Sequence, residues 1–291
     1  MLKSSIKKTI PPYEIELIIA HIIQKSREYI LAHPEIQLTK VQDTRYKKLL
    51  KRRKNHEPMA YILGHKEFYG LDFKVNKHTL IPRPETELLV ELVTQNVKLE
   101  TIKNKKISIV DVGTGSGNII ISILKELEKF NSFYVSHFTF HATDISTEAL
   151  RIARYNAKIH KVDKKIKFIR SNLLKYFIDH CSLLTDHCII VANLPYLSKK
   201  IYSSAMPDVK NFEPKSALLS EQDGLNHYGK LFEQIKLLTD HCSLITVHCL
   251  LEFSPEQKSK LQKIIKEYFP ASKATFHKDL SDKWRVAQIK I

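Results

Sequence analysis

Residues 193–196 read Asn-Leu-Pro-Tyr and directly follow the apolar run Ile189-Ile190-Val191-Ala192. A side-chain amide, a carbonyl, a rigid proline and an aromatic ring at a strand exit can together hold a planar nitrogen group. Upstream, Val110-Asp111-Val112-Gly113-Thr114-Gly115-Ser116-Gly117 forms a glycine-rich turn after a second strand-like run. The whole chain has only 7 glycines, so the cluster at Gly113, Gly115 and Gly117 signals a local backbone need. Such glycines let the backbone approach a ligand and expose amide groups at a helix start. The G-x-G-x-G spacing is tighter than the G-x-G-x-x-G of dinucleotide binders. A pyrophosphate is therefore not the obvious guest, whereas the methionine moiety of S-adenosylmethionine fits. The two segments point to methyl transfer from S-adenosylmethionine to an amide or amino nitrogen, leaving S-adenosylhomocysteine.

The remaining cofactor contacts are expected where strands end. Thr114 and Ser116 complete the glycine turn. Asp144 closes the run His141-Ala142-Thr143-Asp144, where a carboxylate can accept ribose hydroxyls. Ser146 is then the candidate helix N-cap. Asn172 is placed to bond the adenine amino group, and Leu173 to cover the ring.

An amide nitrogen is a poor nucleophile because its lone pair is delocalised. The side-chain oxygen of Asn193 and the carbonyl of Leu194 can each accept an N–H from it. Pro195 stiffens the loop, and Tyr196 is expected to pack flat on the planar group. Orientation can supply ~7–11 kcal/mol of the barrier, so no dedicated general base is needed at the outset.

These residues need a frame. From Lys106 onward strands are expected near 107–112, 138–143, 166–170, 188–192, 244–251 and 284–290. Helices are expected near 117–129, 146–160, 223–239 and 255–268. Such alternation gives an α/β fold, a mostly parallel sheet with helices on both faces. The glycine turn, Asp144, Asn172 and Asn193 all fall at carboxyl ends of strands, where ligands of these sheets bind. Residues 1–70 read as a small all-helical domain, with Pro12 opening the first helix and a basic helix around Arg45–Arg53. Residues 71–98 read as a short hairpin, turning at Asn76-Lys77, and a rigid linker through Pro82-Arg83-Pro84-Glu85. Residues 99–291 form the α/β domain.

The composition sets the class of partner. Hydrophobic residues make up 43% of the chain, enough for a substantial core, and the formal net charge is +16. That excess suits acidic partners, but the basic residues are widely spread, with one tight run at Lys47–Lys54. No signal peptide is seen, and no apolar run reaches the ~18 residues of a membrane span. A cytoplasmic protein with free thiols is expected, with no membrane and no stable nucleic-acid partner. Each of Cys181, Cys188, Cys242 and Cys249 follows a histidine. Neighbours on a strand point to opposite faces, so no metal site is expected from these pairs.

The chain resembles the peptide chain release factor glutamine methyltransferases, the PrmC/HemK family. Four segments carry the resemblance: Glu57–Gly64 with Glu67–Leu71 after it, Leu80–Glu87, Asp111–Gly117, and Asn193–Tyr196 followed by Phe212-Glu213-Pro214 and Leu250-Leu251-Glu252. Two departures stand out. Leu194 replaces the first proline of the more usual Asn-Pro-Pro-Tyr, and Asn172 stands where Asp is common. The resemblance implies a Rossmann-like class I methyltransferase domain joined by a short hairpin to an N-terminal helical domain. It implies a monomer that methylates the Gln of a Gly-Gly-Gln motif in bacterial release factors. It also implies that Arg83 and Glu85 join Asn193, Leu194, Pro195 and Tyr196 on the substrate side. Asn-Leu-Pro-Tyr also resembles the loop of RNA adenine dimethyltransferases, but those carry their extra domain after the methyltransferase fold.

Overall fold

The computed structural model describes residues 10–101, 106–130, 134–242 and 246–291. It begins with four helices: α1 (Pro12–Ile23), α2 (Arg27–Ala32), α3 (Lys40–Lys54) and α4 (Met59–Leu63). Pro12 sits at the first helical position of α1 as expected, where its missing N–H costs nothing. Thr39 and Gln42 make a reciprocal capping box that starts α3, satisfying two orphan donors at once. Ile18, Ile22, Leu49 and Ile62 form a small core between α1, α3 and α4. Beside it the buried Glu14 carboxylate takes two hydrogen bonds from Arg53, at 2.6 and 2.8 Å.

Two short strands follow, β1 (His65–Phe68) and β2 (Leu71–Lys74), paired antiparallel. The hairpin therefore turns at Tyr69-Gly70, where both residues have positive φ, and not at Asn76-Lys77. Asn76 instead organises a separate turn, accepting from His78 N and bonding Thr79 through its carbonyl. Tyr61 in α4 donates to the Thr79 carbonyl at 2.6 Å, which ties the helices to this turn.

The rest of the chain builds a seven-stranded sheet. In chain order the elements are α5 (Glu87–Thr101), β3 (Ile107–Val112), α6 (Asn118–Phe130), β4 (Phe138–Asp144), α7 (Thr147–Ile159), β5 (Ile166–Arg170), α8 (Lys175–Ile178), β6 (His187–Ala192), α9 (Lys199–Ser204), α10 (Pro207–Phe212), α11 (Asn226–His241), β7 (Thr246–Glu252), α12 (Lys258–Tyr268), β8 (Lys273–Lys278) and β9 (Trp284–Lys290). The strand order is β5-β4-β3-β6-β7-β9-β8, with β9 antiparallel to both neighbours and the other pairings parallel. Residues 244 and 245 of the expected strand lie outside the described residues. The edge strand β8 has no counterpart among the expected strands. Its half-exposed Lys-Ala-Thr-Phe-His-Lys pattern is short and weakly apolar.

All six residues of β3 are buried, as a central parallel strand requires. On one face α5 and α6 pack Leu89, Val93, Ile120 and Leu124 against Ile107 and Ile109. On the other, α11 and α12 pack Leu231, Phe232, Ile235 and Leu261 against Ile190 and Leu251. One expectation about the thiols is overturned. Cys181 and Cys242 are joined as a disulfide, with Cα atoms 5.3 Å apart. The segment after α8 and the end of α11 meet only in the tertiary fold, so no sequence spacing announced the pair. Cys188 and Cys249 are free and buried. No helix among the described residues is long and apolar enough to cross a membrane.

Glu14 to Ala should destabilise the protein by about 1–3 kcal/mol, because it strands a half-buried guanidinium. Chemical unfolding of the variant checks this, and a change below about 0.5 kcal/mol would show that Arg53 finds another partner.

Candidate functional site

Topology decides where the chemistry gathers. The chain runs from β3 outward to β4 on one side, and β6 pairs with β3 on the other. Such a switch point opens a crevice beyond the carboxyl ends of the strands. A cavity of about 260 Å³ lies there. Its wall includes Gly113, Thr114, Gly115 and Ser116 from the glycine turn, Asp144 from β4, Asn172 and Leu173 after β5, and Asn193, Leu194 and Pro195 after β6. These predicted cofactor and target residues thus share one space, which Gly117, Tyr196 and Glu85 do not line.

The glycine turn works through its backbone. Gly113, Gly115 and Gly117 all have positive φ, which side chains with a Cβ resist. Gly113 and Thr114 N–H both donate to the Thr143 carbonyl at 2.8 Å, fastening the turn to β4. The two hydroxyls point inward: Thr114 donates to Asp111 at 2.6 Å and Ser116 to Asn118 at 3.0 Å. Gly117 stands apart from the cavity wall. A Cβ there would come within 3.0 Å of Ile121 and 3.2 Å of Ala153, so this glycine serves the approach of α6 and α7.

Asp144 closes the cavity on the β4 side. Its Oδ2 accepts from Gly115 N–H at 2.9 Å and its Oδ1 from Ser146 N–H at 2.8 Å. Both bonds aim the carboxylate and leave lone pairs for diol hydroxyls. Burial pushes its proton affinity up, and the backbone N–H groups pull it back. Ser146 caps α7 by accepting from Ala149 N–H, as expected. Leu173 holds a φ of 55° in the left-handed region, a strained conformation for a branched side chain. The strain turns it into the cavity wall, while the next amide, Leu174 N–H, is held by Gln234 at 2.7 Å.

The loop after β6 presents two free acceptors. Asn193 donates its Nδ2 to Thr86 Oγ1 at 3.1 Å, which turns Oδ1 away from Thr86. Among the described residues no donor reaches Asn193 Oδ1 or the Leu194 carbonyl. Pro195 lines the cavity beside them. Tyr196 lies behind the wall, with its hydroxyl donated to Glu252 Oε1 at 3.0 Å. Its ring packs on the core under the sheet, and it does not lie flat in the cavity.

Several supporting residues had no role that the sequence could assign. Glu252 ends β7 and is 1% exposed. The parallel register pairs Ala192 with Leu251, so Asn193 and Glu252 emerge side by side. Burial raises the Glu252 carboxyl, while the Thr86 and Tyr196 hydroxyls and Arg285 favour its charge. Asn156 of α7 is fully buried and bonds Lys74 N and O and the Ser116 carbonyl, at 2.8–3.0 Å. It therefore clamps the hairpin to the glycine turn. His227 also lines the cavity, with Nδ1 2.9 Å from Ser220 Oγ, and burial lowers its proton affinity.

Arg83 and Glu85 part company. Arg83 lines the cavity but is ion-paired to buried Glu213, whose other oxygen accepts from Ile81 N–H at 3.1 Å. Glu85 is exposed and outside the cavity wall. No group of His, Cys, Asp and Glu able to hold a metal exists among the described residues.

Comparison with known proteins follows the same lines. Residues 4–64 match the PrmC N-terminal domain family and residues 78–226 the N-6 DNA Methylase family. The release factor glutamine methyltransferase of Coxiella burnetii is 38% identical, over 80% of this chain and 76% of that protein. Its counterpart from Dictyoglomus turgidum is 36% identical, over 88% and 83%. A bifunctional methyltransferase of Rickettsia bellii is 34% identical over 97% of this chain, which spans 51% of that protein's length. Among solved structures, the N-terminal domain of human METTL16 in complex with SAH aligns with a TM-score of 0.52 at 16% identity, covering 100% of this chain and 98% of that one. At that identity the likeness is one of fold, the class I methyltransferase arrangement.

Two outcomes test the site's construction. Gly224 has a φ of +91°, and a Cβ there would lie 2.1 Å from the Tyr196 carbonyl oxygen. Gly224→Ala should cost about 2–4 kcal/mol in unfolding experiments and loosen the Asn193 loop; a variant as stable as the wild type would contradict this packing. Asp111 is fully buried, and burial pushes its carboxyl up to about 7. Its raised folded value means that stability is full below the ordinary carboxylate range and is lost as pH climbs towards about 7. Between about pH 5 and pH 8 the wild type should therefore lose more melting temperature than Asp111→Asn, and equal losses would remove Asp111 as the cause.

Proposed function

The chain belongs to the release factor glutamine methyltransferase family, and from that membership we propose that it methylates the side-chain nitrogen of a Gln in a protein, using S-adenosylmethionine. The Gln is that of the Gly-Gly-Gln motif of peptide chain release factors. One observation carries the reading. The glycine-lined cavity ends at two free acceptors, Asn193 Oδ1 and the Leu194 carbonyl. A primary amide offers two N–H donors in one plane, and these acceptors suit them.

The cavity fits the cofactor on its own terms. The positive-φ turn at Gly113 and Gly115 gives a floor without side chains. Asp144 would hold the ribose, Ile145, Asn172 and Leu173 the base, and the turn the methionine end. When bound, S-adenosylmethionine supplies a cationic sulfonium whose methyl is electrophilic. The residues of the chain hold and orient the nucleophile. Asn193 and Leu194 draw on the amide N–H bonds and so favour lone-pair density on nitrogen. Pro195 and the Tyr196–Glu252 bond hold the loop still. The amide proton can leave to water after transfer, since the site needs no base to begin. The chemistry survives Leu194 in place of proline because only its backbone carbonyl is used.

The helical segment before the hairpin would hold the body of the protein substrate, with Lys47, Lys48 and Lys51 attracting an acidic surface. Reversing these three charges should lower kcat/KM mainly at low salt; a loss that persists unchanged at high salt would argue for a packing role.

The deciding experiment is mass spectrometry of a release factor incubated with enzyme and S-adenosylmethionine. Gain of one methyl on the Gly-Gly-Gln glutamine supports the reading, and methylation of RNA adenine with an unmodified factor overturns it. Asn193→Ala should cut kcat by ~100-fold or more with cofactor affinity nearly intact. Asp144→Ala should do the reverse, weakening cofactor binding by about 1–3 kcal/mol in calorimetry. Unchanged affinity in that variant would take Asp144 out of the site.

A further inference from the structure

Counted along the chain, the basic residues look scattered, and that spread by itself points to no stable nucleic-acid partner. The stretch from Arg151 to Arg170 differs from the rest. It carries eight Lys and Arg residues against one acid, Asp163, so nearly half of the formal charge of +16 falls in 20 residues. Arg151, Arg154, Lys158, Lys161 and Lys164 stand three or four apart, so they form no run in the sequence. A helix brings such positions onto one face, and the first three lie in α7.

All five are exposed. The opposite face of α7, with Leu150, Ala153 and Ala157, is buried, so the cations are turned to solvent. The edge of the sheet continues the same surface. β5 is the end strand and pairs only with β4. Arg154 donates to the Phe168 carbonyl at 3.0 Å, and its guanidinium lies 5.8 Å from the Phe168 ring centroid. Arg170 falls on the Phe168 side of the strand and is exposed. Among the described residues, Arg151 alone of these six cations is ion-paired, to Glu148 of its own helix. The outer side of α6 shows the ordinary solvated arrangement, with Lys125 paired to Glu128 and Lys129 to Glu126. Like charges three and four apart mildly destabilise a helix, so a face needed only for solvation has no reason to collect them. Within the basic face, Tyr155 is 48% exposed, and Lys74 Nζ lies 4.2 Å from its ring centroid.

We propose that the outer face of α7 and the edge of β5 form a docking track for single-stranded RNA, whose phosphates follow the six cations while a base stacks on Tyr155. Successive cations on α7 rise by about 4.5–6 Å along its axis, a spacing that lets each meet its own phosphate. A cationic track with an aromatic ring set into it is the combination that single-stranded nucleic acid needs. A membrane surface fits less well, because the apolar face of α7 is already buried in the core and cannot insert. RNA is preferred to DNA because the proposed substrate is a translation factor, and in that respect the proposal rests on the reading above. Such binding is electrostatic and weakens steeply with salt, so the contact is transient.

The test is fluorescence anisotropy of the whole protein with a labelled mixed-sequence RNA of about 20 nucleotides. Lys158→Glu, Lys161→Glu and Lys164→Glu together should weaken binding about tenfold or more at low salt and flatten the slope of log Kd against log salt by about 2. None of the three lines the cavity, so kcat/KM on the release factor should stay within about twofold, which also shows that the variant folds. Reversing Lys47, Lys48 and Lys51 changes the net charge equally and should alter RNA affinity by less than about threefold. Tyr155→Ala should weaken binding about fivefold or more with the slope unchanged. Equal losses from the two charge reversals would reduce the effect to net charge and overturn the track, as would unchanged affinity in the α7 variant. Full affinity in Tyr155→Ala, or equally tight binding of the wild type to polyglutamate or to anionic vesicles, overturns the assignment to RNA. A protein that binds RNA along α7 but leaves the glutamine unmodified counts against the proposed substrate. One that methylates the glutamine but whose RNA affinity ignores α7 counts against the track alone.

Discussion

The parallel pairing of β6 with β3 on one side and β7 on the other is the constraint on which the site depends. In register, Val112 lies opposite Ala192, and Ala192 opposite Leu251. One residue further on, the three strands release Gly113, Asn193 and Glu252 at the same edge. A slip of a single residue would turn each side chain to the opposite face and separate the glycine turn from the Asn193 loop. The register is held by burial on both faces: Ile109 and Ile189 pack under α5 and α6, Val110 and Ile190 under α11. The apolar core thus fixes the positions of polar groups that contribute nothing to it.

That edge also concentrates buried carboxylates. Asp111, Glu213 and Glu252 are each at most 5% exposed, and burial raises all three. A buried charge is tolerated only where donors surround it. Each is answered from a different part of the chain. Thr114 donates to one oxygen of Asp111, Arg83 and Ile81 answer Glu213, and Tyr196 donates to one oxygen of Glu252. The second of these sets draws on the linker between hairpin and sheet. The linker is therefore held at the cavity by electrostatics as well as by its prolines, and its conformation is coupled to the loops it serves.

The family's usual second proline is kept as Pro195 and its first is replaced by Leu194. The replacement has a structural use. Leu194 is 3% exposed, and a Cβ at Gly113 would meet its Cδ2 at 3.0 Å. Leu194 therefore fills the space above the first glycine while its carbonyl stays available. The glycine turn and the target loop are thus packed directly on one another, and neither can move alone.

Much of this architecture is legible in the sequence. Alternating apolar runs and glycine or proline punctuation mark β3, β4, β5, β6, β7 and β9 and the helices α6, α7, α11 and α12, because burial on both faces demands continuous apolar strands, whereas the short helices α8, α9 and α10 left no such pattern. Strand exits are set by the same pattern, so Asp144, Asn172, Leu173 and Asn193 could be placed at the cavity by counting. The hairpin turn could not. Tyr69-Gly70 and Asn76-Lys77 both look like turns locally, and pairing across β1 and β2 chooses between them. Nor could the disulfide, since Cys181 and Cys242 approach only when α8 and α11 pack. Tyr196 and Gly117 read as ligand contacts, and the fold uses them for anchoring and for helix packing. Asn156 had no local signal, and Thr86 and Glu252 stood in family-like segments without a role that the sequence could assign. Their roles come from partners distant in sequence, at 82, 107 and 56 residues. The sequence by itself determined the strand exits and the chemistry they carry, because periodicity and turn preference are local. The tertiary structure alone decided which groups meet Asn193 at the cavity, because those contacts depend on neighbours that only folding supplies.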